Sequence, residues 1–308
     1  MTSSSQVGAA ATEDVATAPQ AREPRPAARK MPSRGQRLPL ILDYLLRAIR
    51  VLLVPALVVL LWWWLTRFNG VTHGLIPGPV AAAKALVDWI FSTGDSKYSG
   101  TWVSSMWMST RRVLLGYAVG AGGGVLFGVL IGYFRPLGQL VEPFIHVLRS
   151  IPIIGWLPLS FVAFGYGIAS TTFLIGMGTF FPVIVGTIGG VRSVDRTFVR
   201  VGRMAGCSRT QILTRIILPS ALPQIVTSLR VAMGFAWILV IVAEWTAVRT
   251  GLGYVLLDAY NYLRYDYIIA AMVSVGFMGF ISDRLVYMIA RPFVRWHTEM
   301  SIEQTGRR

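Results

Sequence analysis

Charge of either sign is scarce in this 308-residue chain, and acids are scarcest. Asp and Glu together number 14 against 29 Lys plus Arg, and all charged residues make up 14% of the sequence. Ordinary soluble domains carry about 25%. Too little charge remains to cover a water-facing surface of this size, which excludes a water-soluble enzyme. The single cysteine, Cys207, excludes a disulfide framework. His73, His146 and His297 lie far apart, so no histidine-based metal spacing exists. There is no G-x-x-x-x-G-K-[ST], hence no phosphate-cradling loop. No paired acids or nucleophile–His arrangement stands in or beside the apolar runs. What is abundant is apolar: 54% of residues are hydrophobic and the mean hydropathy is +0.58. That content excludes disorder over most of the length and points to an all-α integral membrane protein.

A spanning helix needs about 20 mostly apolar residues. Val51 to Thr66 is the first candidate, lying between Arg50 and Arg67, with Trp62, Trp63 and Trp64 as an interfacial anchor. Val113 to Phe134 is the second. Ser150 to Val191 is free of charge, and as one helix it would be roughly 60 Å long, about twice a hydrocarbon core. It must fold back, and Gly165-Tyr166-Gly167 is the natural turn, with one span ending near Phe164 and another from Thr171 to about Gly190. Leu222 to Trp245 and Tyr267 to Ala290 complete a set of about six transmembrane helices, with Pro152 and Pro158 as potential breaks in the third.

Residues 1–38 are rich in Ala, Ser, Pro and Arg and lack an apolar run, so they read as a disordered basic tail rather than a signal peptide. Residues 39–308 form the transmembrane domain. Basic residues concentrate in the tail up to Arg50, in Arg192–Arg215 and after the sixth span. With six spans the positive-inside rule puts all three clusters, and both termini, in the cytoplasm. The net charge of +15 is then a topology signal and no nucleic acid is needed to explain it.

Gly116, Gly120, Gly124, Gly128 and Gly132 recur every four residues and leave one helix face nearly bare. Small residues in register let another membrane helix approach closely, so this ladder is expected at a helix–helix or subunit contact.

The segment Arg192–Pro223 is too shaped for a connector. Arg192, Arg196, Arg200 and Arg203 share one helical face, and Val194, Phe198, Val201 and Ala205 another, which predicts an amphipathic helix outside the bilayer. Gly206 is placed to end it. Ser208 with Gln211 predicts a capping box for a second short helix, which Pro219 is expected to stop.

Here the residues resemble a family. Gly206, nine residues, Ile216, one residue, then Leu218-Pro219 is similar to the EAA loop of permease subunits of binding-protein-dependent ABC importers. Ala221-Leu222-Pro223, Val242-Ala243-Glu244, Gly251-Leu252-Gly253-Tyr254, Ser109 to Gly116 and Leu148 to Pro158 extend the likeness, which covers about residues 70–297 and is nearest the sulfonate, taurine and nitrate branch. One departure is clear: Arg200, Val201 and Gly202 stand where that motif has Glu-Ala-Ala. The resemblance implies a MetI-like permease core in a bacterial plasma membrane, working as a homodimer with two ATPase subunits and an external solute-binding protein. The chain itself would be non-catalytic and hold no cofactor, ATP and Mg being bound by the ATPase. The resemblance further implies a cytoplasmic coupling loop over 192–219. Its ATPase contact would use Arg200, Val201, Gly202, Arg203, Met204, Ala205, Gly206, Cys207 and Ser208, supported by Ile216, Leu218 and Pro219.

Ionisable groups within spans are functional candidates because burying them is costly. Arg149 and Glu244, with Trp237, are therefore candidates for the translocation path, and Arg230 interrupts the fifth span. A secondary transporter or channel is the alternative class. It would be expected to carry several intramembrane acids and an inverted repeat, whereas one plausible acid, Glu244, is present.

Overall fold

The computed structural model describes residues 53–67 and 76–293. The expected tail over 1–38 and the basic C-terminal end lie outside the described residues. Apart from Leu53–Leu57, every described residue belongs to one compact unit, which begins at Val58.

Every described element is helical. Helix α1 covers Leu53–Arg67, α2 Pro79–Phe91, α3 Trp102–Tyr133, α4 Arg135–Ser150, α5 Leu157–Phe164, α6 Ile168–Arg192 and α7 Arg196–Met204. The short α8 (Arg209–Ile212) passes through a π turn, Leu213–Ile217, into α9 (Leu218–Ala247), and α10 (Leu252–Asn261) and α11 (Tyr265–Ala290) come next. Among the described residues, α3, α6, α8–α9 and α11 are long and apolar enough to cross a membrane. A fifth crossing exists if α4 and Ile153–Phe164, bent by 89°, count as one. Helix α1 lies at the first expected span but is shorter than a crossing, so four, or up to five, of the six expected spans stand among the described residues.

The boundaries differ from the sequence expectations in instructive ways. Helix α3 starts at Trp102 rather than Val113 because Arg112 is neutralised inside the protein and does not mark the membrane edge. At 32 residues it is roughly 48 Å long. Pro219 does not stop a helix. The π turn just before it widens the ladder where the proline ring would crowd the preceding turn, and the helix runs on from Arg209 to Ala247. Arg192 is the last residue of α6, not part of the amphipathic helix, and pairs with Glu142 of α4 through an N–H···O bond of 2.8 Å. Gly165 (φ +70°) and Gly167 (φ +138°) make the α5–α6 turn as expected.

The packing of α3 on α6 explains the ladder. A Cβ at Gly116 would lie 2.5 Å from Ile175, at Gly124 2.9 Å from Val183, at Gly128 2.6 Å from Thr187 and at Gly132 2.9 Å from Val191; at Gly120 it would strike Thr179 and the Gly176 carbonyl. The partners are spaced by four and all β-branched, so a row of stiff, wide side chains fills a row of missing ones. Both series rise together, so α3 and α6 run parallel, and α4–α5 must carry the chain back between them.

Two clusters mark the ends of the bundle. Trp89, Val113, Ile175, Trp237, Val240, Leu252 and Tyr267 join α2, α3, α6, α9, α10 and α11. At the other end Val191, Ile212, Ile217, Ala221 and Ile225 pack beneath α7 with Val199, Cys207 and Ile216.

Candidate functional site

Helix α7 is built by local rules. The Asp195 carboxylate accepts from the Thr197 N–H at 2.8 Å and caps its start. That backbone bond, then the Thr197 hydroxyl, hold the Asp195 carboxyl below the usual carboxylate range. The helix ends in a paired stop: Gly206 N–H donates to the Arg203 carbonyl and Cys207 N–H to the Gly202 carbonyl, both at 3.0 Å. This requires φ +77° at Gly206, a conformation that glycine reaches without a Cβ penalty. Ser208 and Gln211 then form the expected capping box, with bonds of 2.8 and 3.3 Å.

Among the described residues, only one side of α7 is covered. Gly202 is buried, and a Cβ there would lie 2.5 Å from Ile216 Cδ1. Phe198, Val201 and Met204 face outward, Met204 with 87% of its surface exposed. Arg196, Arg200, Arg203 and Arg209 are exposed around them, as are Ala205, Gly206 and Ser208, while Cys207 is half-buried. Ile216, Leu218 and Pro219 are half-buried supports in the turn below. The apolar stripe expected to seat an amphipathic helix is thus an exposed ridge inside a basic collar.

At the opposite end lies a buried clamp. Glu244 of α9 is fully buried and Arg112 of α3 is 4% exposed. The guanidinium Nη1 donates to Glu244 Oε1 and to the Thr250 carbonyl, both at 2.7 Å, and Nη2 donates to Thr250 Oγ1 at 2.7 Å. Ser109 Oγ donates to the carboxylate at 2.8 Å and accepts from Leu252 N–H, while Gly253 N–H donates to Glu244 Oε2 at 2.8 Å. Gly251 has φ +114°, and any Cβ on it would strike the carboxylate. A Cβ on Gly253 would sit 2.8 Å from Ile241 Cα. The clamp ties α3, α9 and the start of α10 into one unit. It explains why Ser109 to Gly116, Val242 to Glu244 and Gly251 to Tyr254 form three separated motifs: they meet at one point. Sequence reasoning singles out Glu244 and misses Ser109, Arg112 and Thr250 as its partners.

Beside the clamp is a cavity of about 390 Å³ lined by Lys97, Thr101, Ser104, Arg249, Tyr254 and Asp258 among others. Lys97 Nζ lies 2.6 Å from Asp258, which also accepts from the Tyr98 hydroxyl at 2.8 Å. Burial, then Asp258, push the Tyr98 phenol up.

The three path candidates do not gather. Glu244 is held in the clamp by Ser109, Arg112 and Gly253. Trp237 is 3% exposed and donates from Nε1 to Ser282 Oγ at 3.1 Å. Arg149 stands exposed at the end of α4. Arg230 is bound to Asp283 of α11 by two bonds, of 2.9 and 2.7 Å. No group of three or more His, Cys, Asp or Glu able to hold a metal occurs among the described residues.

Comparison with known proteins agrees with this architecture. Residues 124–295 match the family described as binding-protein-dependent transport system inner membrane component. A Methanocaldococcus jannaschii protein, provisionally named an ABC transporter permease, is 32% identical over 251 residues, covering 80% of this chain and 91% of its own. The Bacillus subtilis protein provisionally named as the aliphatic sulfonates transport permease SsuC is 29% identical, covering 80% and 86%. The nitrate import permease NrtB of Synechocystis is 29% identical, covering 82% and 92%. Among solved structures, an inward-facing MetNI methionine ABC transporter chain aligns with TM-score 0.51 and 20% identity over 63% of this chain and 94% of that one, a likeness of fold. By its family match and its relatives, the chain belongs to the binding-protein-dependent transport system inner membrane components, the multi-pass permeases of ABC importers.

Proposed function

We propose that the chain is the permease subunit of an ATP-driven importer for a small anionic solute such as a sulfonate, taurine or nitrate, and that α7 is its coupling helix. The observation that carries the coupling assignment is the ridge of Phe198, Val201 and Met204, held rigid by the Asp195 cap and the Gly206 stop and left uncovered by the other described residues. A rigid apolar ridge inside a basic collar fits a groove on a soluble partner, and the partner in this family is an ATPase. Two copies of the chain pairing with two ATPase subunits would let closure around ATP draw both ridges together. Helix α8–α9, continuous from Arg209 just after the Gly206 stop to Ala247 at the clamp, offers a direct route for that motion. With α7 inside, the clamp and the cavity beside it face the external binding protein. The anionic class rests on the named substrates of the SsuC and NrtB relatives.

The test is Met204→Glu in the full chain. Met204 is 87% exposed at the tip of the ridge, so the new carboxylate projects toward the partner rather than into the bundle, and the φ +77° stop at Gly206 stays intact. Membrane insertion should be retained and co-purification with the ATPase lost. Full ATPase stimulation in the mutant would refute the docking assignment. Uptake into vesicles that proceeds without ATP would instead favour a secondary transporter or channel.

A further inference from the structure

The crossing between α3 and α6 is broken in its middle, and the break is where the chain leaves polar groups open. Helix α4 rises along α6: Glu142 bonds to Arg192 at the end of α6, and Ile145 packs in a cluster with Ile184 and Ile188. It ends at Ser150, and Ile153–Phe164 departs at 89°. Ile153 Cδ1 lies 3.2 Å from the Cβ position of Gly178, the eleventh residue of the 25-residue α6. That level is roughly 15 Å from one end of α6 and 21 Å from the other, near the middle of the bilayer.

Ile151, Pro152, Ile154 and Gly155 are exposed there, outside regular α-helix. Irregular backbone at this depth is tolerated only where protein covers it or water fills a cavity. Arg149 is exposed at the same break and enters none of the ion pairs among the described residues. A cation without a carboxylate in mid-membrane belongs on an aqueous path. Two further features set the sign of what passes. Between Glu142 and Asp195 the chain carries no acid. Trp156 Nε1, a donor a few residues beyond, is buried without an acceptor among the described residues.

We infer that the α4–α5 break lines the aqueous translocation path and that Arg149 contacts the solute there, selecting small oxyanions. This rests on the importer reading for the existence of a path and for an anionic solute, and adds where the path runs and which residue reads the charge. Discontinuous helices near the midplane are a general means of presenting donors to a polar solute without exposing backbone to lipid.

Cysteine labelling of the full-length chain in membrane vesicles tests this without any partner subunit. Ser150→Cys, with Ile151→Cys as a second reporter, is treated with membrane-impermeant methanethiosulfonates carrying either a sulfonate or a trimethylammonium group. Peptide mapping separates the new site from native Cys207. Leu126→Cys, on the exposed face of α3 opposite the ladder, is the lipid-facing control. Both reporters should react at least 10-fold faster than Leu126→Cys. After correction for intrinsic reactivity, the anionic reagent should be favoured by at least 3-fold. Arg149→Gln should remove that preference and Arg149→Lys keep it. Reporters no faster than Leu126→Cys would mean a dry contact between copies and overturn the path assignment. A preference for the cation, or one unaltered by Arg149→Gln, would overturn the role of Arg149. Either failure leaves ATP-dependent uptake, the measure of the importer reading, untouched.

Discussion

Arg112 and Glu244, 132 residues apart in sequence, meet at 2.7 Å with side chains 5% and 0% exposed. Such a pair is neutral overall and fully hydrogen-bonded on the carboxylate side, so its strength lies in completeness. Breaking a buried pair by removing one partner costs about 3–5 kcal/mol, because the other charge is stranded. Glu244→Gln should therefore lower the thermal midpoint of the detergent-solubilised protein sharply. Arg112→Met combined with Glu244→Gln should cost less than the sum of the two single changes. Additive losses would show that the pair does not act as a unit.

The ladder makes a prediction with an internal control. Gly120 faces backbone of α6, which cannot yield as a side-chain tip can, whereas Gly122, two residues on, has nothing within 4 Å. Gly120→Val should destabilise by at least the about 1–3 kcal/mol typical of overpacking, measured by unfolding in mild detergent. Gly122→Val should change stability little.

The basic collar gives a prediction about coupling. Arg200 reverses the charge that the family motif carries at this position, and exposed charges act chiefly through complementary partners. Arg200→Glu should weaken ATPase stimulation in reconstituted vesicles, and Arg200→Lys should largely preserve it. Unchanged stimulation in Arg200→Glu would show that no acid faces this position.

The cap at Asp195 adds a pH dependence with a defined sign. Its carboxyl is harder to protonate in the folded protein than in the unfolded chain, because the Thr197 N–H bonds to the charged form. Its support of α7 is present above the unfolded value of about 3.9 and is lost as pH falls through the lower folded value. An isotope-edited infrared titration of the Asp195 carboxyl should place its midpoint below that of a model aspartate. A midpoint at or above the model value would contradict the cap.

Much of the fold and of the α7 loop is legible in the sequence wherever the cause is local. The Gly206 stop, the Ser208–Gln211 box and the Gly165–Gly167 turn each depend on a few neighbouring residues, and each forms as expected. Pro219 departs from expectation because the rule that proline ends a helix ignores the π turn that lets a helix pass through it. Arg192 departs because its position on a four-residue repeat says nothing about Glu142, fifty residues earlier. Arg112 looks like a membrane boundary because its partner stands far along the chain. Helix α4 lies between two expected spans, where Arg135, Glu142 and Arg149 interrupt any apolar run. The exposed ridge of α7 can be found as an amphipathic pattern, but a pattern does not say which face the rest of the chain will leave bare.

The interlock of α3 with α6 also limits how this protein can change shape. Five successive teeth seat in five successive gaps, and sliding one helix along the other by a single turn would have to unseat all of them at once. The two helices are therefore expected to travel as one keyed shaft, free to rock but not to ratchet, with any slack confined to the joints around it.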